Sequence, residues 1–405
     1  MNEFDPSFVS LPDNAATLLR QRLGLSSGER PRVSYLSIAG DIGKSYLTWR
    51  EFGLDPSVPK ATFGHMFFEL ISRLDAEGQL LTHFDTEISN SGRFRFDRIS
   101  PPRWGGKITS LRTRLRLRSE VLARVNDFDP HVVVVSSSIQ PNAWPKVIKG
   151  RRAIAYVHNS LWPANAASVA KLKKRKAAIG SSFDAHLCAS DMVADQVREL
   201  AGRDLPIQVS VPQIIKALPP NHSKTVRKLL YIGALEKERG LPELLEAFRR
   251  AQARVPELAL EVIGNGPLRG GVQAFTADNF TYQPEMRAEH IREALDSADL
   301  LVVPSRPERA EGWAEFGAEA VAQRVPLLMS NNVPVAAFMG RAFRQVPAGD
   351  VRALELAMVD LATSLESYAN LLSGFGPEAA EIHDVSLSWG SGLGRALLEL
   401  PIAEP

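Results

Sequence analysis

Residues 228–267 read KLLYIGALEKERGLPELLEAFRRAQARVPELALEVIGNGP. The stretch opens on an apolar run, Lys228–Ile232, that stops at Gly233. Leu241, Leu244, Leu245 and Phe248 then recur at helical spacing within Leu241–Ala253. A second apolar run, Leu258–Ile263, stops at the tight turn Gly264-Asn265-Gly266-Pro267. Short unbroken apolar runs suit strands buried on both faces, as in parallel sheets covered by helices. Strand, helix and strand in this order predict an α/β unit.

The same rhythm extends in both directions. Downstream, strands are expected at Thr281–Tyr282, Leu300–Val303 and Pro326–Met329, with helices at Ala288–Ser297 and Glu315–Gln323. Asp350 is placed to cap a helix reaching about Ala362. Upstream, Val33–Ile38, Gln79–Phe84, His131–Val135, Ala153–Val157 and Ala185–Ala189 read as strands. Helices are expected at Phe63–Glu77, Ile108–Val125 and Asp191–Leu200. The glycine loop Gly40 to Gly43 leads into an irregular stretch as far as Pro59, and residues 86–106 read as a loop. Val211–Val226, with three prolines, reads as a linker between domains.

A chain of 405 residues exceeds one ordinary core, so two domains are expected. The hydrophobic fraction of 44% and charged fraction of 23% fit a globular chain. A net charge of +2 gives no global argument for nucleic acid. Cys188 is the single cysteine, which rules out an internal disulfide and suits a reducing compartment. The polar N-terminus lacks a signal-peptide pattern, and no apolar run approaches the roughly 20 residues that span a bilayer. The expected location is the cytoplasm, with the inner membrane face open to it. Arg112, Arg114, Arg116, Arg118 and Arg124 form one basic cluster, and Lys171, Lys173, Lys174, Arg175 and Lys176 another. These are either wet helix faces or docking points for anionic lipid headgroups.

In open parallel sheets, ligands bind beyond the carboxyl ends of the strands. Gly233, Gly264, Gly266 and Pro267 occupy such positions, either as plain turns or as places where backbone can approach a ligand. Ser305 through Glu315 follows another strand end. Glu311 sits in that loop and Glu319 inside the helix after it. Amides near Trp313, Ala314, Glu315 and Phe316 would make an anion site flanked by the two carboxylates, an arrangement suited to a diphosphate joining two sugars. The other reading of the two glutamates is solvated helix charge.

Taken together, Tyr231-Ile232-Gly233, Glu236-Lys237-Glu238-Arg239-Gly240, Val262 to Pro267, Ser297-Ala298-Asp299-Leu300, Val303-Pro304-Ser305 and the E-x7-E pair Glu311 and Glu319 resemble the family-4 glycosyltransferases. The resemblance runs from about Leu229 to Asp350, with a weaker tail to about Leu398. It implies the GT-B fold: two Rossmann-like domains with parallel sheets facing across a cleft. It divides the chain into an acceptor-side domain at 1–212, a nucleotide-sugar domain at 213–380, and a terminal segment at 381–405 that includes Ser388-Trp389 and returns to the first domain. The implied activity is retaining, metal-independent transfer of a sugar from a nucleotide-sugar donor to a glycan or lipid-linked acceptor, in bacterial polysaccharide or glycolipid biosynthesis. Glu319 would hold the ribose, Glu311 the transferred sugar, and Arg239 with Lys237 the diphosphate. His158, with Asn159 after it, resembles the family's strand-end histidine near the reacting atoms. Gly40 or Gly64 would stand on the acceptor side.

The sequence departs from the family at Ala234, where an arginine is usual, at Ala314 and at Arg324. Ala234 keeps a non-catalytic GT-B subunit bound to a partner glycosyltransferase in view, and a synthase acting on a small soluble sugar is the other alternative. No metal is expected, since Asp184 and Asp191 are isolated and no D-x-D has suitable surroundings.

Overall fold

The computed structural model describes residues 7–36, 42–53, 62–82, 88–99, 107–136, 147–162, 169–214, 224–284, 288–309, 311–314 and 316–402. Gly40 and Glu315, both expected near the site, lie outside them.

Two sheets organise the chain. The first holds β1 (Arg32–Leu36), β2 (Glu77–Thr82), β3 (Asn90–Ser91), β4 (Phe94–Arg98), β5 (Val132–Ser136), β6 (Arg152–Val157), β7 (Ala185–Cys188) and β8 (Ile207–Val209). Their order is β3-β4-β2-β1-β5-β6-β7-β8, and every pairing is parallel except β3 with β4. The second holds β9 (Lys228–Ile232), β10 (Ala259–Ile263), β11 (Phe280–Gln283), β12 (Leu300–Val303), β13 (Leu327–Ser330) and β14 (Phe343–Val346). It is parallel throughout, in the order β11-β10-β9-β12-β13-β14. Strand order therefore reverses between β9 and β12 in the second sheet and between β1 and β5 in the first. Such reversals leave a crevice at the carboxyl edge.

The helices are α1 (Ala15–Leu23), α2 (Ile42–Phe52), α3 (Phe63–Arg73), α4 (Lys107–Phe128), α5 (Val169–Ser181), α6 (Asp191–Ala201), α7 (Leu241–Gln252), α8 (Arg269–Gln273), α9 (Ala288–Ser297), α10 (Gly317–Ala322), α11 (Val351–Thr363), α12 (Leu365–Ser373) and α13 (Trp389–Leu398). Each sheet carries apolar clusters on both faces, so its central strands are buried, as the unbroken run Val132–Val135 requires. Helix ends follow local chemistry. The Asp350 carboxylate accepts from the Ala353 amide at 2.9 Å and starts α11. Ser190 caps α6 in the same way. Among the described residues no helix is long and apolar enough to cross a membrane.

Two segments read from sequence as irregular or as loop are ordered. Helix α2 fills part of the stretch read as irregular, because Tyr46 and Trp49 pack on Phe68 and Phe94, and Tyr46 also on Phe96, with ring centroids 5.1–6.1 Å apart. Residues 86–106, read as a loop, contribute β3 and β4; Phe94 and Phe96 point inward around the partly buried Arg95. Both segments gain their order from aromatic packing between distant residues rather than from a long local period.

The chain passes between the two sheets twice, and the passages are bonded side by side. The Val211 amide donates to Leu387 O and the Ile214 amide to Ile382 O, each at 2.8 Å. The Gln213 side-chain amide donates to Ile382 O at 3.0 Å. Helix α13 then docks on the first sheet's layer. Trp389, 1% exposed, packs against Tyr35, Phe63 and Tyr156 with ring centroids 5.3–5.8 Å apart. Gly390 and Gly394 let α13 press on the N-terminal arm: a Cβ at Gly390 would lie 2.7 Å from Val9, and one at Gly394 2.4 Å from Leu11. Trp389→Ala is expected to cost about 3–5 kcal/mol, the range for emptying a buried aromatic site. Denaturant unfolding of full-length protein measures this, and a loss below about 1 kcal/mol would deny α13 its place in the first core.

Candidate functional site

The loops after β9, β10 and β12 are stitched together by backbone. A Cβ on Gly264 would meet Gly233 O at 1.9 Å, one on Gly266 would meet Leu235 O at 2.7 Å, and one on Gly240 would meet Pro304 O at 1.7 Å. Such approaches admit only glycine. Hydrogen bonds join the same loops: Leu235 N to Asn265 O at 2.9 Å, Leu268 N to Leu235 O at 2.9 Å, and Arg306 N to Glu238 O at 3.0 Å. The bare faces of Gly264 and Gly266 thus rest on the β9 loop. Pro267 is exposed beside them, and Lys237 is exposed in the short 3-10 turn Lys237–Arg239.

Charged side chains gather over this platform. Ser305 Oγ donates to Glu311 Oε1 at 2.8 Å, and Arg309 Nε donates to the same oxygen at 3.1 Å. Arg309 Nη1 donates to Glu236 Oε2 at 3.0 Å. Arg239 Nε lies 3.9 Å from that oxygen, and the tip of its guanidinium overlies Gly233. Asn332 Nδ2, from the loop after β13, donates to Arg306 O at 2.8 Å. Glu236, Arg309 and the role of Asn332 escaped the sequence reading. Glu236 stood within a quoted motif, but nothing in spacing alone shows that two loops place its carboxylate between two arginines.

Glu311 and Glu319 are both buried, at 6% and 4% exposure, which sets aside the reading of them as solvated helix charges. Buried carboxylates need partners or ligands. Between them, Trp313 packs edge-on to Phe338 with centroids 6.1 Å apart, and Ala314 is fully buried. Helix α10 is shorter than the expected Glu315–Gln323. It begins at Gly317, and Phe316 ahead of it takes φ 62°, a left-handed conformation unusual for a residue with a side chain. The Gly317 amide is occupied by Ala314 O at 2.9 Å.

The first sheet reaches this place through the end of β6. Ser160 N donates to Glu311 O at 3.0 Å, and a Cβ on Gly312 would fall 1.7 Å from His158 O. His158 therefore sits in the chain segment touching Glu311 and Gly312. Its ring packs on Tyr156, 3.9 Å between centroids, and edge-on to Phe63, which opens α3. Gly64 follows in that helix; a Cβ there would make only ordinary contacts at 3.6 Å. The structure thus brings together Gly233, Arg239, Ser305, Glu311 and the backbone of His158. Asp184 instead accepts from the Ala153 amide at 2.8 Å, and Asp191 starts α6. Among the described residues no group of three or more His, Cys, Asp or Glu side chains is arranged to hold a metal ion.

Residues 226–364 match the model of a family described as glycosyl transferases group 1. Solved structures of similar shape span nearly the whole molecule. Sucrose-phosphate synthase from Thermosynechococcus elongatus covers 87% of this chain and 97% of its own at TM-score 0.57 and 16% identity. The fold is GT-B. Two further GT-B structures align comparably. HepE from Anabaena, solved in complex with UDP and glucose, covers 87% of this chain and 95% of its own at TM-score 0.60 and 11% identity. A trehalose-6-phosphate structure from E. coli, bound with UDP-2-fluoro glucose, covers 91% and 99% at TM-score 0.62 and 13% identity. Among curated sequences, a putative teichuronic acid biosynthesis glycosyltransferase, TuaC of Bacillus subtilis (strain 168), is 26% identical over 258 residues. That alignment takes in 58% of this chain and 62% of the relative's length. The likeness to solved structures is one of fold, and the six strands of the second sheet all fall within the matched residues 226–364.

Burial lowers the His158 imidazole to about 4, and burial foremost lowers that of His186 to about 4 as well. Both are therefore neutral at pH 7. Burial pushes the Cys188 thiol up to about 12, which makes it a poor nucleophile. For the histidines, the folded value lies below the ordinary 6.5, so the unfolded chain binds more protons between these limits and stability falls as pH drops from about 6.5 towards 4. The imidazole proton resonances of His158 and His186 are expected to hold their neutral positions from pH 8 down to about 5, while the denaturant midpoint declines below about pH 6.5. Titration of either ring near 6.5 would contradict the burial described.

Proposed function

We propose that this chain is a family-4 retaining glycosyltransferase that binds a nucleotide-sugar donor against the second sheet and transfers the sugar to a glycan or lipid-linked acceptor held by the first. The carrying observation is the switch-point crevice between β9 and β12, where buried Glu311 is held by Ser305 and Arg309 while its backbone meets the end of β6. The family match over 226–364 and the TuaC similarity support a sugar-transferring enzyme, and the two GT-B structures solved with UDP and glucose and with UDP-2-fluoro glucose support a UDP-sugar as donor. In this reading 1–212 is the acceptor-side domain, 213–380 the donor domain, and 381–405 the segment that returns to the first.

The roles follow from charge. Glycosidic bond cleavage builds negative charge on the leaving nucleoside diphosphate. Arg239 and Lys237, with the backbone amides of Trp313, Ala314 and Phe316, stabilise it. Gly233, Gly264, Gly266 and Pro267 line the nucleotide side, and Glu319 accepts from the ribose hydroxyls. Glu311 accepts from the transferred sugar. His158, neutral and at the meeting of the two sheets, faces the reacting centre, and Gly64 at the start of α3 stands on the acceptor side. The reaction takes place in the cytoplasm, with the basic clusters on α4 and α5 docking on anionic lipid where the acceptor is lipid-linked.

A calorimetric screen against UDP-, GDP-, ADP- and dTDP-sugars tests the donor site; at least one is expected to bind, and a chain that binds none is not this enzyme. Glu319→Ala should weaken the bound donor about tenfold or more with little change in melting temperature. A melting collapse with unchanged affinity per folded molecule would return Glu319 to a structural role. Transfer activity should persist in excess EDTA, and strict dependence on a divalent ion would overturn the metal-independent mechanism.

A further inference from the structure

Arg309 spans the crevice where strand order reverses. It lies on the loop after β12, and its guanidinium joins Glu311 on that loop to Glu236 on the loop after β9. The neighbouring Arg306 is committed elsewhere, 3.2 Å from Glu243 and 3.6 Å from Glu308. Both described donors to the Glu311 carboxylate, Ser305 Oγ and Arg309 Nε, fall on Oε1. Among the described residues no group donates to Oε2. A carboxylate anchored through one oxygen cannot rotate without breaking two bonds, one of them charge-assisted, so its other oxygen is presented in a fixed direction.

We infer that Arg309 is a positioning residue for donor recognition, anchoring Glu311 Oε1 against Glu236 so that Oε2 is held out to a hydroxyl of the donor sugar. This rests on the donor-site reading above and names the device that aims its sugar contact. A planar fork suits the task because Nε and Nη1 reach two carboxylates on different loops at once; a lysine carries the charge but only one point of attachment. Glu236 in turn fixes Arg309, which makes the geometry of the sugar contact depend on the β9 loop that also carries Arg239. The effect belongs to the sugar end of the donor and leaves the nucleotide end alone.

The experiment is calorimetry of the full chain with UDP and with UDP-glucose, for wild type, Arg309→Gln and Arg309→Lys, alongside melting temperatures. Arg309→Gln should lose about tenfold in UDP-glucose affinity, the scale of one charge-assisted hydrogen bond, while UDP affinity stays within about twofold. Arg309→Lys should recover part of that loss, and melting temperatures of both variants should stay near wild type. Unchanged UDP-glucose affinity in Arg309→Gln overturns the inference. So does an equal loss for UDP and UDP-glucose, which would put Arg309 on the diphosphate or in the fold. Wild-type protein that binds neither ligand overturns instead the UDP-sugar reading of the donor site, on which the inference rests.

Discussion

The architecture of the site depends on backbone packed against backbone at the carboxyl edge of the second sheet. Gly240 touches Pro304, Gly264 touches Gly233, and Gly266 touches Leu235, all at distances that exclude a side chain. These contacts lock three loops that leave the sheet in different directions around the reversal between β9 and β12. Only because that platform is fixed can Arg309 span Glu236 and Glu311. Any added Cβ here would push a loop away and carry a charged side chain with it. The glycines thus set the positions of side chains beyond their own contacts.

Electrostatically the crevice is balanced rather than simply positive. Arg239 and Arg309 share the Glu236 carboxylate, and Arg309 also reaches Glu311. Charges of both signs held by hydrogen bonds in a partly buried place are fixed in direction before any ligand arrives. Opposite them His158 is neutral, its charge suppressed by burial among Tyr156 and Phe63. A neutral ring adds no competing cation on the side where the first sheet meets Glu311.

Most of the second sheet was readable from sequence because β9, β10 and β12 are short apolar runs ending at glycine or proline, and the helices α7 and α11 carry strong local signals; β14, with Arg344 and Gln345 in its middle, was not expected. Lys228–Ile232, recognised as a strand, is β9 to the residue, and Asp350 caps the helix it was expected to cap. The first sheet was less legible. β4 hides its inward-facing Phe94 and Phe96 among arginines, and α2 is ordered by aromatic contacts with residues more than fifteen positions away. The candidate site divides in the same way. Glu311 and Glu319 stood out through a spacing, whereas the pairing of Arg309 with Glu236 bridges 73 positions and leaves no local trace. Gly264 and Gly266 read from sequence either as plain turns or as places for a ligand to approach; their packing on the loop after β9 is a contact that only three dimensions supply.

Helix α13 completes the first core. Trp389, Leu393, Ala396, Leu397 and Leu400 are buried with Val33, Tyr35, Phe67 and Leu70, residues joined to the chain more than three hundred positions earlier. During synthesis the N-terminal half emerges with that apolar surface uncovered, while the intervening sheet has every strand it needs to fold first. The order of assembly is thereby inverted: the portion made early must wait for a helix made after the second sheet, and a ribosome that stops short of α13 releases a molecule with one finished lobe and one sticky one.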